Sequence, residues 1–395
     1  MARVHFIANG VFSTRIAGGD IHFLKLAEAA VQAGYELNFF GGRALWEVLQ
    51  AHQLKAHITF TDTAKLGRAD LNRLSGQFAL FCDFLGRYRQ SLLRLRLIQP
   101  DDYVYAVSDY WFDVLPAVRS RARRKLMVLH MEAPTLGQIL RRSRPDVEAS
   151  RLASVHYWAS QNWSLRQFCR RPVKHLLYLH PLMRPRLERL GLRPEEMTLV
   201  SYGLDVAAAE AVPEQARVYD VVWIGRVHRQ KGIEDLLETL RFLAQRIDGF
   251  RAVCIGNVRE ALGPEIQRRG LTRHVELPGF VSEVEKLRLF KASRLFLMPS
   301  RHEGSPRVIG ESILCRTPVL AYELPNYRPL FGNLVRYVPA FDLAAFQAAA
   351  EQMIQQMRRG QNELQQADLT SFKRENDWAT TQAKFLQALG RLRAA

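Results

Sequence analysis

The chain has 395 residues, of which 48% are hydrophobic and 24% charged, with a mean hydropathy of −0.16. That is the composition of a soluble globular protein long enough for two or three domains, each with its own core. It contains no apolar run of about 18 residues or more, which excludes a membrane-spanning helix. The net charge is +17 and unevenly spread: residues 1–200 hold 29 Lys and Arg against 17 Asp and Glu, a balance of +12, whereas residues 201–395 hold 27 against 22, a balance of +5. Such a field attracts nucleic acid, an anionic membrane or a polyanionic substrate. Cys82, Cys169, Cys254 and Cys315 lie far apart and form no C-x-x-C pair. Apolar neighbours such as Val253, Ile255 and Leu314 mark them as small core residues in a reducing compartment, and no zinc site is expected.

In chain order, the short apolar run at the N-terminus falls short of a signal peptide and reads as a first buried strand, Val4–Ala8. The loop Asn9–Gly19 follows, with Gly18 and Gly19 allowing close backbone approach and Asp20 able to cap the next helix. Residues Asp20–Gly34 carry Ile21, Leu24, Ala27 and Val31 at helical spacing, with Gly34 as the stop. Further strands are expected at Leu37–Phe40, Tyr103–Val107, Lys125–His130 and His156–Ser160. The alternation of strand and helix predicts a parallel sheet covered by helices on both faces.

The pattern restarts near residue 217. Strands are expected at Val218–Gly225, Phe250–Gly256, Val275–Leu277, Leu295–Met298 and Pro318–Tyr322. Helices are expected over Gly232–Gln245 and from the capping box Ser282–Glu285 to Ala292. The domains expected are therefore 1–202, a linker at 203–216 containing Pro213, a second Rossmann-like domain at 217–368, and a terminal helix within 369–395 that packs back on the first domain. Ligands of open α/β sheets bind beyond the carboxyl ends of the strands, so the expected site lies where the two domains face each other across a cleft.

Two segments of the second domain carry chemistry. Gly225–Gly232 leaves a strand and enters a helix but has neither Walker-loop nor G-x-G-x-x-G spacing. Arg226 at the strand end and Lys231 at the helix edge are placed to grip a diphosphate by charge-assisted hydrogen bonds. In Ser300–Glu311 a strand closed by Pro299 feeds a small-residue turn, with Ser305 as N-cap and Pro306 as the first helical residue. Free N–H groups and the helix dipole make this an anion site. Glu311 would lie roughly 7.5 Å along the helix axis, about the reach from a nucleotide's phosphates to its ribose.

Gly225-Arg226 with Lys231-Gly232, then Glu303 and Glu311 with seven residues between, resembles the retaining glycosyltransferases of the GT-B fold, family 4. Gly18-Gly19, Tyr202–Asp205 and Pro278-Gly279-Phe280 fit the same resemblance, which extends along the whole chain. It implies a UDP- or GDP-sugar donor and a glycan or lipid-linked acceptor in cell-envelope polysaccharide or glycolipid synthesis. It implies that Arg226 and Lys231 bind the donor diphosphate and stabilise the leaving nucleotide. Glu311 would then accept hydrogen bonds from the ribose, Glu303 would face the sugar hydroxyls, and Gly304 and Ser305 would present backbone N–H groups. His130 matches the family's first-domain histidine beside the donor sugar, and Gly18, Gly19, Gly225, Phe280 and Pro306 belong to the donor-binding set. No metal or other cofactor is expected. Where relatives often carry Gly-Phe-Gly after the first Glu, this chain has Gly304-Ser305-Pro306-Arg307, and Arg307 adds a cation beside the phosphates.

The basic first half bears on the acceptor. Cys82–Pro100 mixes Arg87, Arg89, Arg94 and Arg96 with Phe84, Leu85, Leu92, Leu93, Leu95, Leu97 and Ile98, and Gln167–Arg193 is a second basic-apolar stretch. A basic amphipathic helix lies readily on an anionic membrane, which gives an expected cytoplasmic protein, peripheral on the inner membrane face. Two other readings stay open: a nucleotide-sugar epimerase or hydrolase of the same fold, and a basic nucleic-acid-binding protein. Against the second, no nucleic-acid module is recognisable and aromatics do not interleave with the basic runs, so no nucleic-acid partner is expected.

Overall fold

Every expected strand but one begins or ends within two residues of a strand in the computed structural model, which describes residues 2–14, 18–62, 74–141 and 151–394. The first unit comprises the described residues up to Gly137, Leu152–Gly203 and those from Trp378 on; the second comprises Leu204–Asp377 with Gln138–Arg141 and Arg151.

The first unit holds β1 (Arg3–Ile7), β2 (Glu36–Gly41), β3 (His57–Phe60), β4 (Tyr103–Ala106), β5 (Arg124–Leu129), β6 (Lys174–Tyr178) and β7 (Met197–Leu199), all parallel in the order β3-β2-β1-β4-β5-β6-β7. Buried on both faces, these strands read as near-continuous apolar runs, as parallel sheets require. The helix Gly18–Gln32 covers one face, where Phe6 stacks on Phe39 with ring centroids 4.7 Å apart. The terminal helix Trp378–Ala394 joins the same core through Phe385, Leu389 and Leu392. It can seat there because residue 203 is glycine. Gly203 has φ +73°, and a Cβ at that position would lie 2.1 Å from the Trp378 ring.

The second unit holds β8 (Tyr219–Gly225), β9 (Ala252–Gly256), β10 (Val275–Gly279), β11 (Ser293–Met298), β12 (Val319–Tyr322) and β13 (Arg336–Val338), also all parallel, in the order β10-β9-β8-β11-β12-β13. The helix Ile233–Arg246 packs Leu236, Leu240 and Leu243 against Trp223 and Leu295 on one face. Helices Glu283–Lys291 and Arg307–Leu314 pack Phe290, Ile309 and Ile313 against Val222 and Phe296 on the other. β8 and β11 are central neighbours, so their C-terminal ends bring the two sequence segments of interest side by side.

Five expectations are corrected. Residues His156–Ser160 are not a strand but part of the helix Arg151–Cys169, whose buried positions are Ser154, Ser160, Gln161, Ser164, Leu165 and Phe168. Tyr157 and Trp158 are half-buried, and Tyr157 stacks on Tyr110 with ring centroids 4.9 Å apart. Residues 203–216 are not a free linker: Val206–Ala211 is a helix, and Leu204, Ala209 and Val212 are buried in the second unit's core. The tail is two helices, and the first, Thr370–Asn376, lies in the second unit. The helix after the Ser300 turn starts one residue later than expected, with Pro306 as N-cap in extended geometry. Cys82 is exposed, while Cys254 and Cys315 are buried. The loop Asn9–Gly19 lies partly outside the described residues.

Candidate active site

The site of the second unit is assembled by two loops that run against each other. β8 ends at Gly225, and the backbone N–H of Val227 then donates to Asn257 Oδ1 at 3.0 Å. His228 caps the 3-10 turn Arg229–Lys231, its Nδ1 accepting from the Gln230 N–H at 3.3 Å. Gly232 leaves that turn at φ +64°, and a Cβ there would sit 1.9 Å from the Pro299 carbonyl oxygen, so only glycine lets this loop lie on the end of β11. The two segments are then joined by backbone and side chain. The Arg301 N–H donates to the Gln230 carbonyl at 2.8 Å, and Gln230 Nε2 donates to the His302 carbonyl at 2.7 Å.

That arrangement places Lys231 Nζ 2.6 Å from Glu303 Oε1, with the side chains 20% and 11% exposed. Such shielding strengthens the pair and the hydrogen bond within it. Arg226 is exposed, and its side chain makes no hydrogen bond or ion pair among the described residues. Burial lowers the pKa of His228, and the charges of Arg226, Lys231 and Arg229 lower it further, so this imidazole is neutral near pH 7. The turn after Glu303 is held by Asn326, whose Nδ2 donates to the Glu303 carbonyl at 2.8 Å and also to the Gly304 carbonyl. Ser305 and Pro306 follow, and the helix Arg307–Leu314 begins beside them.

Glu311 is 5% exposed. Its Oε1 receives Lys286 Nζ at 3.0 Å and Arg307 Nη2 at 3.2 Å. Its Oε2 is buried with no hydrogen-bond partner among the described residues. A buried carboxylate oxygen left without a donor is costly, and it is an acceptor ready for a ligand hydroxyl. Arg307 therefore turns back along its own helix to Glu311. Phe280 follows β10, the edge strand, and is 72% exposed.

In the first unit, His130 stands at the end of β5. Its Nε2 lies 3.1 Å from the Val107 carbonyl and its Nδ1 3.2 Å from the Tyr202 hydroxyl. A carbonyl only accepts, so Nε2 carries the proton and Nδ1 accepts from Tyr202. Burial lowers the His130 pKa, which the nearby Asp109 carboxylate partly offsets, so the ring is neutral. Gly19 lies against it: a Cβ at Gly19 would be 3.6 Å from His130 Cε1, an ordinary contact, while Gly18 opens onto free space.

The structure thus gathers Gly225, Arg226, Lys231, Glu303, Gly304, Ser305, Pro306, Arg307 and Glu311 around the ends of β8 and β11, and Gly18, Gly19 and His130 at the end of β5. Sequence reasoning missed Asn326 and Lys286. The signal for Lys286 was a lysine beside Leu287 and Phe290 on the inward side of a capped helix.

Two parallel sheets with covering helices, and a pairing of cations and carboxylates at the strand ends of the second, define a two-domain α/β protein of the GT-B class. Residues 209–367 match the family of glycosyl transferases group 1. The α-D-kanosaminyltransferase of Streptomyces kanamyceticus is 28% identical over 138 residues, covering 34% of this chain and 36% of its own. The α-galactosylglucosyldiacylglycerol synthase of Streptococcus pneumoniae is 23% identical over 180 residues, covering 41% and 47%. The chain thus spans less than half the length of these curated relatives. The crystal structure of Anabaena HepE in complex with UDP and glucose superposes with a TM-score of 0.69 over 99% of this chain and 100% of that one, at 15% identity, a likeness of fold.

Proposed function

We propose that the chain is a retaining glycosyltransferase that moves a hexose from a nucleotide-diphosphate sugar to a hydroxyl of a glycan or lipid-linked acceptor, in polysaccharide or glycolipid synthesis. The observation that carries this reading is a pair of carboxylates, the shielded Glu303 and the buried Glu311, beside the cationic turn. Glu303 is salt-bridged to Lys231, and Glu311, with seven residues between, keeps one oxygen without a donor. Hydrolases that retain configuration place two carboxylates about 5–5.5 Å apart and use one as nucleophile. Here Glu311 is tied to Lys286 and Arg307 and is a binding group for the ribose. Glu303 orients Lys231 and offers its second oxygen to the sugar hydroxyls.

The chemical demand is the charge of the departing diphosphate. Arg226, free to move, and Lys231, held in place, stabilise it together with the N–H groups opening the helix at Arg307. The bond from the anomeric carbon to the phosphate oxygen breaks as the bond to the acceptor oxygen forms on the same face. The acceptor's proton passes to the leaving phosphate. In this proposal the protein's cations do the work that a metal would otherwise do, so chelators leave activity unchanged. UDP is the nucleotide to test first, since Anabaena HepE is in complex with UDP and glucose; GDP is the alternative. The acceptor is proposed to be presented at an anionic membrane, which the protein visits from the cytoplasmic side; no helix among the described residues is long and apolar enough to cross one.

A thermal-shift screen with UDP, GDP, ADP and their sugars tests the reading. A nucleotide at a hundredfold excess over its Kd raises stability by about 2.7 kcal/mol. Absence of a shift with every nucleotide would overturn the proposal. Nucleotide release that needs no acceptor would turn it into a hydrolase.

A further inference from the structure

Two helices of the first unit bury polar side chains beside apolar ones and leave large apolar side chains exposed. The helix Leu74–Arg94 directs Asp83, Arg87 and Ser91 inward, all at most 7% exposed. There Arg87 Nε lies 2.7 Å from Asp83, Arg87 Nη1 donates to the Asn9 and Val11 carbonyls at 3.1 and 2.8 Å, and Ser91 Oγ accepts from Asn9 Nδ2 at 3.0 Å. At about 100° per residue the opposite side carries Phe78, Phe81, Arg89 and Leu93. Phe78 and Leu93 are each 69% exposed. The helix Arg151–Cys169 does the same, burying Ser160, Gln161 and Ser164 beside Leu165 and Phe168. Its inward side has Ser160 Oγ accepting from the Trp111 N–H at 2.9 Å, and Gln161 Nε2 donating to Asp109 and to the Met131 carbonyl at 2.7 and 2.8 Å. Its outward side has Leu152, 68% exposed, Val155, Trp163 at 47%, and Arg166.

The two helices meet: the Phe81 ring packs edge-on against His156, centroids 5.8 Å apart, and both rest on Trp111. Asp83 is the single acidic residue in Leu74–Arg94, it is buried in its ion pair, and Arg151–Cys169 has none. Both outward faces are therefore apolar and cationic with no carboxylate.

We propose that this paired face seats the protein on an anionic lipid surface, with the aromatic and leucine side chains among the acyl chains and Arg89 and Arg166 at the head groups; this rests on the membrane-presented acceptor of the preceding section and assigns it a place. The charge pattern selects the occupant. A second copy of the same face would set arginine against arginine, and a nucleic acid would leave Leu93 and Leu152 with nothing to bury against. A lipid surface satisfies both halves: apolar area leaves water, and each basic residue near the surface adds attraction.

The full chain is tested by co-sedimentation with vesicles of phosphatidylcholine alone and of phosphatidylcholine mixed with phosphatidylglycerol. The expected result is binding to the mixed vesicles only, weakening with salt, with a blue shift of fluorescence that disappears in Trp163→Phe. Arg89→Glu and Arg166→Glu should each weaken binding by about fivefold or more, and Phe78→Ser with Leu152→Ser by roughly tenfold or more. All these side chains face solvent, so the UDP-induced thermal shift serves as the folding control and should be unchanged. Equal binding to both vesicles, variants that bind like the parent, or a parent dimer that Phe78→Ser with Leu152→Ser dissolves would each overturn the proposal. Vesicle binding without any nucleotide shift would remove the transferase reading and leave this one standing.

Discussion

At the ends of β8 and β11 the second unit holds Lys231 on Glu303 and Arg307 on Glu311. At the ends of β1 and β4 the first unit holds Arg87 on Asp83, with the buried Asp113 accepting from the Asn9 N–H at 2.7 Å and from Ser108 Oγ at 2.5 Å. The two sets look alike as lists of paired charges. They differ in what is left over. Around the second sheet a carboxylate oxygen of Glu311 and the whole side chain of Arg226 remain for a ligand. Around the first sheet the polar groups fasten loops to helices, and what they leave for the outside is apolar and cationic. In the proposed reading one set of charges is a binding device, and the other is a fastening.

The largest expected effect separates binding from fastening within the second unit. Lys231→Ala should lower turnover by about a hundredfold or more, the usual loss of one preorganised electrostatic contact. It should also cost about 2 kcal/mol of stability by leaving the shielded Glu303 carboxylate without its partner. Arg226→Ala should lower turnover similarly while leaving the unfolding midpoint within about 0.5 kcal/mol, because an exposed, unpaired cation fastens nothing. Nucleotide release assays and thermal melts on the two variants check both halves. Near-normal rates in either would sink the assignment.

Asp113 gives the corresponding test in the first unit. Burial raises its pKa to about 7, well above its ordinary value, although its hydrogen bonds from Ser108 and the Asn9 backbone oppose the shift. The folded state then binds a proton that the unfolded state has already released between about pH 4 and pH 7. This contribution to stability is full below pH 4 and is lost as pH rises through 7. The parent should therefore lose stability between pH 5 and pH 8 relative to Asp113→Asn, by at most about 3 kcal/mol. Parallel melting curves for the two proteins across that range would contradict it.

Glu311→Gln probes the ribose acceptor. Losing a charged hydrogen bond should weaken nucleotide binding by about tenfold, roughly 1.4 kcal/mol, with a smaller effect on the chemical step. Ser282→Ala is the smallest change. The Ser282 side chain accepts from the Glu285 N–H at 3.2 Å at the start of the helix that carries Lys286, and its loss should cost about 1 kcal/mol in a thermal melt.

The second unit was the more legible in sequence because its logic is local. A buried strand, a glycine, a basic turn and a capped helix follow one another within a dozen residues, and period and capping residues reveal them. Asn326 and Lys286 escaped because each reaches its partner across more than twenty residues of chain, which no local pattern encodes. Residues 203–216 read as a linker because alanine and proline say nothing of tertiary burial, yet Leu204 and Val212 are core. In the first unit the usual rule that apolar residues point inward was itself the source of error. It made a strand of His156–Ser160, where the helix Arg151–Cys169 buries serines and Gln161 beside Leu165 and Phe168 and leaves Leu152, Val155 and Trp163 exposed.

The measurement that bears most directly on the proposed diphosphate clamp is titration calorimetry of UDP, and of GDP in parallel, into the parent chain and into Arg226→Ala with Lys231→Ala. The account predicts saturable binding of one nucleotide by the parent and a loss of about a hundredfold or more in the double variant, from two charge-assisted contacts of about 1.5 kcal/mol or more each. Equal affinity in both proteins, or no binding of either nucleotide to the parent, would contradict it.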